Sequence, residues 1–167
     1  MRVGIGYDIH RFEEGRRLLL GGVEIDGETG LAGHSDADVL LHAIIDALLG
    51  AAALGDTGRH FPPDDPQWKD ASSLDLLART LALLGEAGFA VENVDATVIA
   101  EQPRLAPHIP AMRQHIAETL DIAAGRVNVK ATTHEGLGAI GRGEGIAAMA
   151  VATLREQAQT AEIDTRA

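Results

Sequence analysis

Val3-Gly4-Ile5-Gly6-Tyr7-Asp8-Ile9-His10 alternates with period two, which places Val3, Ile5, Tyr7 and Ile9 on one face of an extended strand and Asp8 and His10 on the other. From Ser35 or Asp36 the period becomes helical: Leu40, Leu41, Ile44, Ile45, Leu48 and Leu49 form one apolar stripe, with a cap available in Ser35-Asp36. A strand and an amphipathic helix so close in sequence already argue for a fold that mixes both.

Outward from this pair, Leu18-Leu19-Leu20 stops at Gly21-Gly22 and resumes as Val23-Glu24-Ile25, the pattern of a second strand or hairpin arm. Gly55 to Pro66 is dense in Gly, Pro and Asp and is long enough for a functional loop. A helix is expected over Ser73–Ala87, with Leu74, Leu77, Leu81 and Leu84 in its stripe and Gly88 ending it. Val91–Ala100 alternates as a strand, Pro107–Leu120 reads as a third helix, and Arg126–Thr133 as a further strand. After the glycine-rich 136–145 connection, Ile146–Leu154 fits a strand or a short helix. The order β-β-α-α-β-α-β-β predicts an α+β two-layer sandwich, a mixed sheet with helices on one face. One domain is expected over residues 1–157, with 158–167 a frayed tail.

A chain of 167 residues can bury a core without disulfides, and it has no cysteine. That absence excludes thiolate nucleophiles, iron–sulfur clusters and cysteine-based zinc fingers, so any metal must be held by His, Asp or Glu. The net charge of −11 repels nucleic-acid phosphates and anionic membranes at long range, and the few aromatic rings cannot form a base-stacking platform. Neither nucleic acid nor membrane is therefore expected as a partner. No apolar run approaches the roughly 18 residues of a spanning helix, and MRVGIGYDIH has no long apolar core of a signal peptide, which makes the cytoplasm the expected compartment.

Asp8 and His10 leave the same strand face about 6 to 7 Å apart along it. On the helix, Asp38, His42 and Asp46 recur at i, i+4 and i+8 as one polar line. If that line faces the strand, Asp8, His10 and His42 make a catalytic-type zinc set, three ligands with a fourth position open. Spacing alone leaves the alternative that Asp8 and His10 are polar positions on a half-exposed strand and His42 a satisfied core histidine. Such a set also accepts Mn²⁺, Co²⁺ or Fe²⁺.

Five separated stretches carry a resemblance: Gly6–His10, Ala32–Ala43, Ala53–Gly58, Pro107–Arg113 and Asn128–Thr133 with Gly141–Ile146. In this order and spacing, from Arg2 to about Leu154, the chain closely resembles the 2-C-methyl-D-erythritol 2,4-cyclodiphosphate synthase family. The resemblance implies a lyase of the non-mevalonate route to isoprenoid precursors, which closes 4-diphosphocytidyl-2-C-methyl-D-erythritol 2-phosphate into the cyclic 2,4-diphosphate and expels CMP. It implies Zn²⁺ on Asp8, His10 and His42, and a second ion, Mg²⁺ or Mn²⁺, bridging the diphosphate near Glu135. His34 and Thr133 match transition-state stabilisers.

By the same resemblance Asp8, His10, His34, Ser35, Asp56, Thr57 and Gly58 meet the methylerythritol hydroxyls and phosphate, and Phe61, Pro62, Pro63, Asp64 and Asp65 close over them. Ala100, Glu101, Gln102, Pro103, Arg104, Leu105 and Ala106 match the cytidine pocket, with Lys130, Thr132, Thr133, His134 and Glu135 along its edge. The implied working unit is a homotrimer, its sheets assembled around the axis and its sites at subunit interfaces, with Ala139 and Arg142 near a central cavity. The chain departs from the family pattern at Ala139, where an aromatic is common, at Pro63, which displaces the usual aspartate of the turn, and at His134, which replaces a small polar residue. Without the resemblance, the residues also admit a metal-dependent phosphatase or nucleotidase, and a non-catalytic metal carrier.

Overall fold

The computed structural model describes residues 1–27 and 29–157, so the expected tail at 158–167 lies outside the described residues. A five-stranded mixed sheet has the order β4-β1-β7-β5-β6, formed by β1 (Arg2–Glu14), β4 (Thr29–Leu31), β5 (Phe89–Ile99), β6 (Val127–Thr132) and β7 (Gly145–Glu156). β7 runs antiparallel to both β1 and β5, pairing Asp8 with Ala148 and His10 with Ile146. β5 and β6 are parallel, which requires a crossover connection, and helix α4 (Ile109–Thr119) supplies it. A separate hairpin joins β2 (Leu18–Leu20) to β3 (Val23–Ile25). Ile146–Leu154 is thus strand, within β7. The short elements β4, α2 (Thr57–His60) and α5 (Gly138–Gly141) have too few residues to display a period, and the sequence does not signal them.

Helix α1 (Val39–Ala52) is apolar almost all round and lies between β1 and β7 on one side and α3 (Ser73–Glu86) on the other, so it is buried along its length. It begins at Val39 rather than at Ser35 or Asp36. Asp38 is the cap, its carboxylate accepting the Leu41 N–H at 3.1 Å, because Ser35 and Asp36 are engaged elsewhere. The expected polar line Asp38-His42-Asp46 is also broken up. Steps of four residues drift by about 40° around a helix, and each member finds a different partner. Only His42 reaches Asp8, while Asp46 accepts the Thr57 N–H at 2.8 Å and hydroxyl at 2.5 Å.

Asp38 is fully buried and also accepts the N–H groups of Gly21 at 3.0 Å and Gly22 at 2.7 Å, at the turn of the β2-β3 hairpin. Both glycines adopt positive φ, and a Cβ at Gly21 would lie 2.7 Å from the Met112 Cβ. Burial pushes the Asp38 carboxyl up to about 6, against the bonds from Gly22, Gly21 and Leu41 that favour its charge. Asp38→Ala removes a helix cap and strands buried donors, so it is expected to cost about 3 to 5 kcal/mol. Urea unfolding checks this; a loss under 1 kcal/mol would show that water replaces the carboxylate freely.

The alternation of β1 is as expected, but its apolar face points outward. Val3, Ile5, Tyr7 and Ile9 are about half to two-thirds exposed, Ile5 reaching 66%, and Met149 and Val151 on β7 continue the strip. Gly4 and Gly6 face α1 instead, where a Cβ would stand 2.0 Å from the carbonyl oxygens of Ala47 and Ala43 respectively. Two glycines thus let the helix backbone lie directly on the strand. That contact sets the separation between Asp8 and His42.

Candidate active site

Asp8 and His10 follow Gly4 and Gly6 on the helix-facing side of β1, and His42 sits one residue before Ala43, the residue that Gly6 touches. Asp8 Oδ2 lies 2.9 Å from His10 Nε2 and 3.0 Å from His42 Nδ1, and the two nitrogens are 3.3 Å apart. Among the described residues these three form the one cluster whose donor atoms all lie close enough to share an ion. Ligands of a tetrahedral zinc at 2.0 to 2.1 Å stand about 3.3 Å from one another, so this triangle fits such a centre closely. One carboxylate and two imidazoles leave a fourth position open to substrate.

Burial works against the charge on Asp8, but the hydrogen bonds from His10 and His42 outweigh it and hold the carboxyl far below the usual carboxylate range. Burial also opposes protonation of His10, yet its bond to Asp8 prevails and raises its pKa. A divalent cation placed between the three donor atoms would satisfy all of them at once.

His10 and His42 line a hollow of about 240 Å³ together with His34, Ser35, Thr57, Gly58, Phe61, Pro63 and Trp68. Arg16 holds the loop over it, donating to the carbonyls of Gly33 at 3.0 Å and Ser35 at 2.6 Å. Asp56 caps α2 through the Arg59 N–H at 3.0 Å, and Asp46 anchors Thr57 from α1. Phe61 is buried edge-on against Trp68, with centroids 5.1 Å apart. Asp64 is exposed, while Asp65 caps the turn at Pro66–Trp68. Pro62 is half-buried beside them.

A second hollow, of about 330 Å³, is lined by Ala100 to Ala106 with Ala131, Thr132 and Thr133. The two hollows share no residue. Glu101 ties the second to the neighbouring turn, accepting the N–H groups of His134 at 2.9 Å and Gly136 at 3.3 Å. On that turn Glu135 is exposed, has φ of 52°, and accepts the Thr133 hydroxyl at 3.1 Å. Glu135 stands outside the Asp8-His10-His42 cluster. Lys130 does not line this hollow: its ammonium binds both oxygens of Asp95 at 2.6 Å, holding that carboxyl below its ordinary value. Arg142 is paired with Glu144 at 2.7 Å, and Ala139 borders a separate cleft beside Ile9 and Ile140.

Periodicity gives no hint of three contributors: Trp68, Asp46 as the anchor of Thr57, and Ser73, whose hydroxyl lies 3.0 Å from His42 Nε2. Their roles arise from contacts between segments distant in the chain.

Three donor atoms placed to share one ion, beside a hollow rimmed by hydroxyls and backbone donors on an α+β fold, are the arrangement of the metal-assisted enzyme class. The YgbB family model matches residues 1–155, and the chain belongs to that family. It is 62% identical over 156 residues to the 2-C-methyl-D-erythritol 2,4-cyclodiphosphate synthase of Gloeobacter violaceus, covering 93% of this chain and 96% of that one. The synthase of the same name from Syntrophomonas wolfei is 63% identical over 156 residues, 93% of this chain and 99% of the relative. Among solved structures, the bifunctional IspDF of Campylobacter jejuni superposes with a TM-score of 0.90 at 46% identity, over 93% of this chain and 42% of that one. A Plasmodium falciparum IspF in complex with CDP gives 0.82 at 32% identity, over 94% and 97%.

Proposed function

We infer that this chain is a phosphorus–oxygen lyase of the non-mevalonate isoprenoid pathway. It converts 4-diphosphocytidyl-2-C-methyl-D-erythritol 2-phosphate into 2-C-methyl-D-erythritol 2,4-cyclodiphosphate and CMP. The observation that carries the reading is the closed triangle of donor atoms on Asp8, His10 and His42, in a chain about 60% identical to synthases of that name. In the reaction the 2-phosphate oxygen forms a bond to the β-phosphorus while the bond from that phosphorus to the CMP oxygen breaks. Bringing two anionic groups to about 4 Å costs roughly 4 kcal/mol per unit-charge pair at an effective dielectric near 20. A protein of net charge −11 has no general positive field to offset that.

A divalent cation, Zn²⁺ by choice of ligands, supplies Lewis-acid charge at the diphosphate when bound. Asp8, His10 and His42 would hold it, their donor atoms already standing within 3.3 Å of one another. His34 and Ser35 at the rim, with Asp56, Thr57 and Gly58, bind the methylerythritol part, and the segment from Phe61 to Asp65 shields it from water. Ala100 to Ala106 present backbone groups to the cytosine and Thr133 donates to the developing charge. By the resemblance, Glu135 would hold a second, magnesium-type ion that supplies further positive charge. The resemblance implies a homotrimer as the working unit, and the separation of the two hollows and the apolar outer face of β1 and β7 are compatible with such an assembly. In that trimer the sugar hollow of one copy would face the nucleotide hollow of the next.

Incubation with the substrate tests the reaction. CMP with the cyclic diphosphate is expected; CMP with the open 2,4-bisphosphate would make the chain a phosphohydrolase that activates water instead. Glu135→Gln is expected to keep its zinc while needing about tenfold or more Mg²⁺ for half-maximal turnover. Metal analysis with a magnesium titration checks this, and zinc loss in that variant would overturn the division between the two metal positions.

A further inference from the structure

We propose that Ser73, held by Asp36, is a positioning residue for the metal-ligating imidazole of His42. The inference rests on the reading of Asp8, His10 and His42 as metal ligands. The torsion that rotates an imidazole about its own bond is broad, so partners at the ring edge must set which nitrogen faces the site. His42 turns Nδ1 to Asp8, and its Nε2 faces two hydroxyls, Ser73 Oγ at 3.0 Å and Ser35 Oγ at 3.1 Å.

Ser73 is fully buried, and its hydrogen bonding is nearly exhausted by Asp36. Its hydroxyl donates to Asp36 Oδ1 and its backbone N–H to Oδ2 at 2.8 Å. A serine hydroxyl has a single proton. With that proton committed to Asp36, Ser73 Oγ can only accept from His42. Ser35 Oγ already accepts the Ala37 N–H at 3.2 Å. An imidazole that spends Nδ1 on a cation carries its remaining proton on Nε2, and donation of that proton to a fixed acceptor orients the ring and raises its basicity as a ligand. Asp36 is itself fixed, donating its N–H to the Ala71 carbonyl at 3.1 Å and accepting the Asp38 N–H at 3.2 Å. The chain Asp36, Ser73, His42 therefore runs from the loop before α1, through the first residue of α3, to the cation position, between residues far apart in sequence.

Asp36 also lies at the N-terminus of α3, where Ser72 makes no side-chain cap, so a purely structural part must be separated from positioning. The test is zinc titration of the metal-stripped full chain against a chromophoric chelator, with ¹⁵N-histidine spectra of the zinc-loaded protein. Wild type is expected to bind zinc and to show a slowly exchanging Nε2–H on His42. Ser73→Ala is expected to weaken zinc binding about 10- to 100-fold and to speed exchange of that proton. Asp36→Asn, which no longer anchors both Ser73 donors, is expected to do the same and serves if Ser73→Ala does not fold. Variants that melt earlier but keep wild-type zinc affinity and an unchanged Nε2–H would overturn the proposal and leave Asp36 a helix cap. Wild type that takes up no zinc would instead overturn the metal reading, and the proposal with it.

Discussion

His42→Ala is expected to yield a folded chain that retains no zinc and turns over at least about a thousandfold more slowly. Three protein ligands are the minimum of an open catalytic centre, and removing the imidazole leaves Asp8 and His10, two residues apart on one strand, without the third ligand of the cluster. A cation held there would supply several kcal/mol of charge stabilisation, and each 1.4 kcal/mol is about tenfold in rate. The helix survives because Leu40, Leu41, Ile44, Ile45, Leu48 and Leu49 remain buried on both sides of position 42. Metal analysis beside steady-state kinetics reads both quantities. A variant with a full equivalent of zinc would remove His42 from the ligand set.

Gly6→Ala is expected to be nearly as severe, although residue 6 contacts no substrate. Its new Cβ would lie 2.0 Å from the Ala43 carbonyl oxygen and 2.7 Å from the Ala47 nitrogen, both backbone atoms that no rotamer change can move. β1 and α1 must separate, at a cost of about 3 kcal/mol or more, the upper range for overpacking, which lowers the melting temperature by about 10 °C in a domain of this size. The gap opens between Asp8 and His42, so zinc affinity falls with stability. Gly85→Ala in α3 is the control: open space surrounds its Cβ, and the helix is expected to gain about 0.5 to 1 kcal/mol. Thermal melts and zinc titrations of both variants check the pair. Equal behaviour would mean that the strand and helix do not rely on that close approach.

Both expectations depend on a contact that periodicity does not reveal. Alternation correctly puts Asp8 and His10 on one face of β1, and the leucine stripe correctly marks α1, so two halves of the site are legible in the sequence. Which face of β1 turns inward is not. Val3, Ile5, Tyr7 and Ile9 look like core, yet glycines 4 and 6 occupy the buried side, because a helix resting on a strand needs missing side chains more than apolar ones. Asp38 and Asp46 share the four-residue spacing of His42 but serve the hairpin turn and Thr57, since their partners are decided by loops of no regular period. The segment Ala100 to Ala106 and Glu135 stand out in the sequence through the resemblance alone. Their placement on a loop and a left-handed turn follows from Glu101 and Thr133 bonding to backbone and carboxylate, which carries no pattern along the chain.

Anomalous scattering at the zinc absorption edge, from crystals of the protein grown with zinc, tests the three-ligand centre most directly. The expected result is one strong peak per chain at about 2.0 to 2.2 Å from Asp8 Oδ2, His10 Nε2 and His42 Nδ1 together. A map without a peak there, or with zinc held by other side chains while those three bond only to one another, would contradict it.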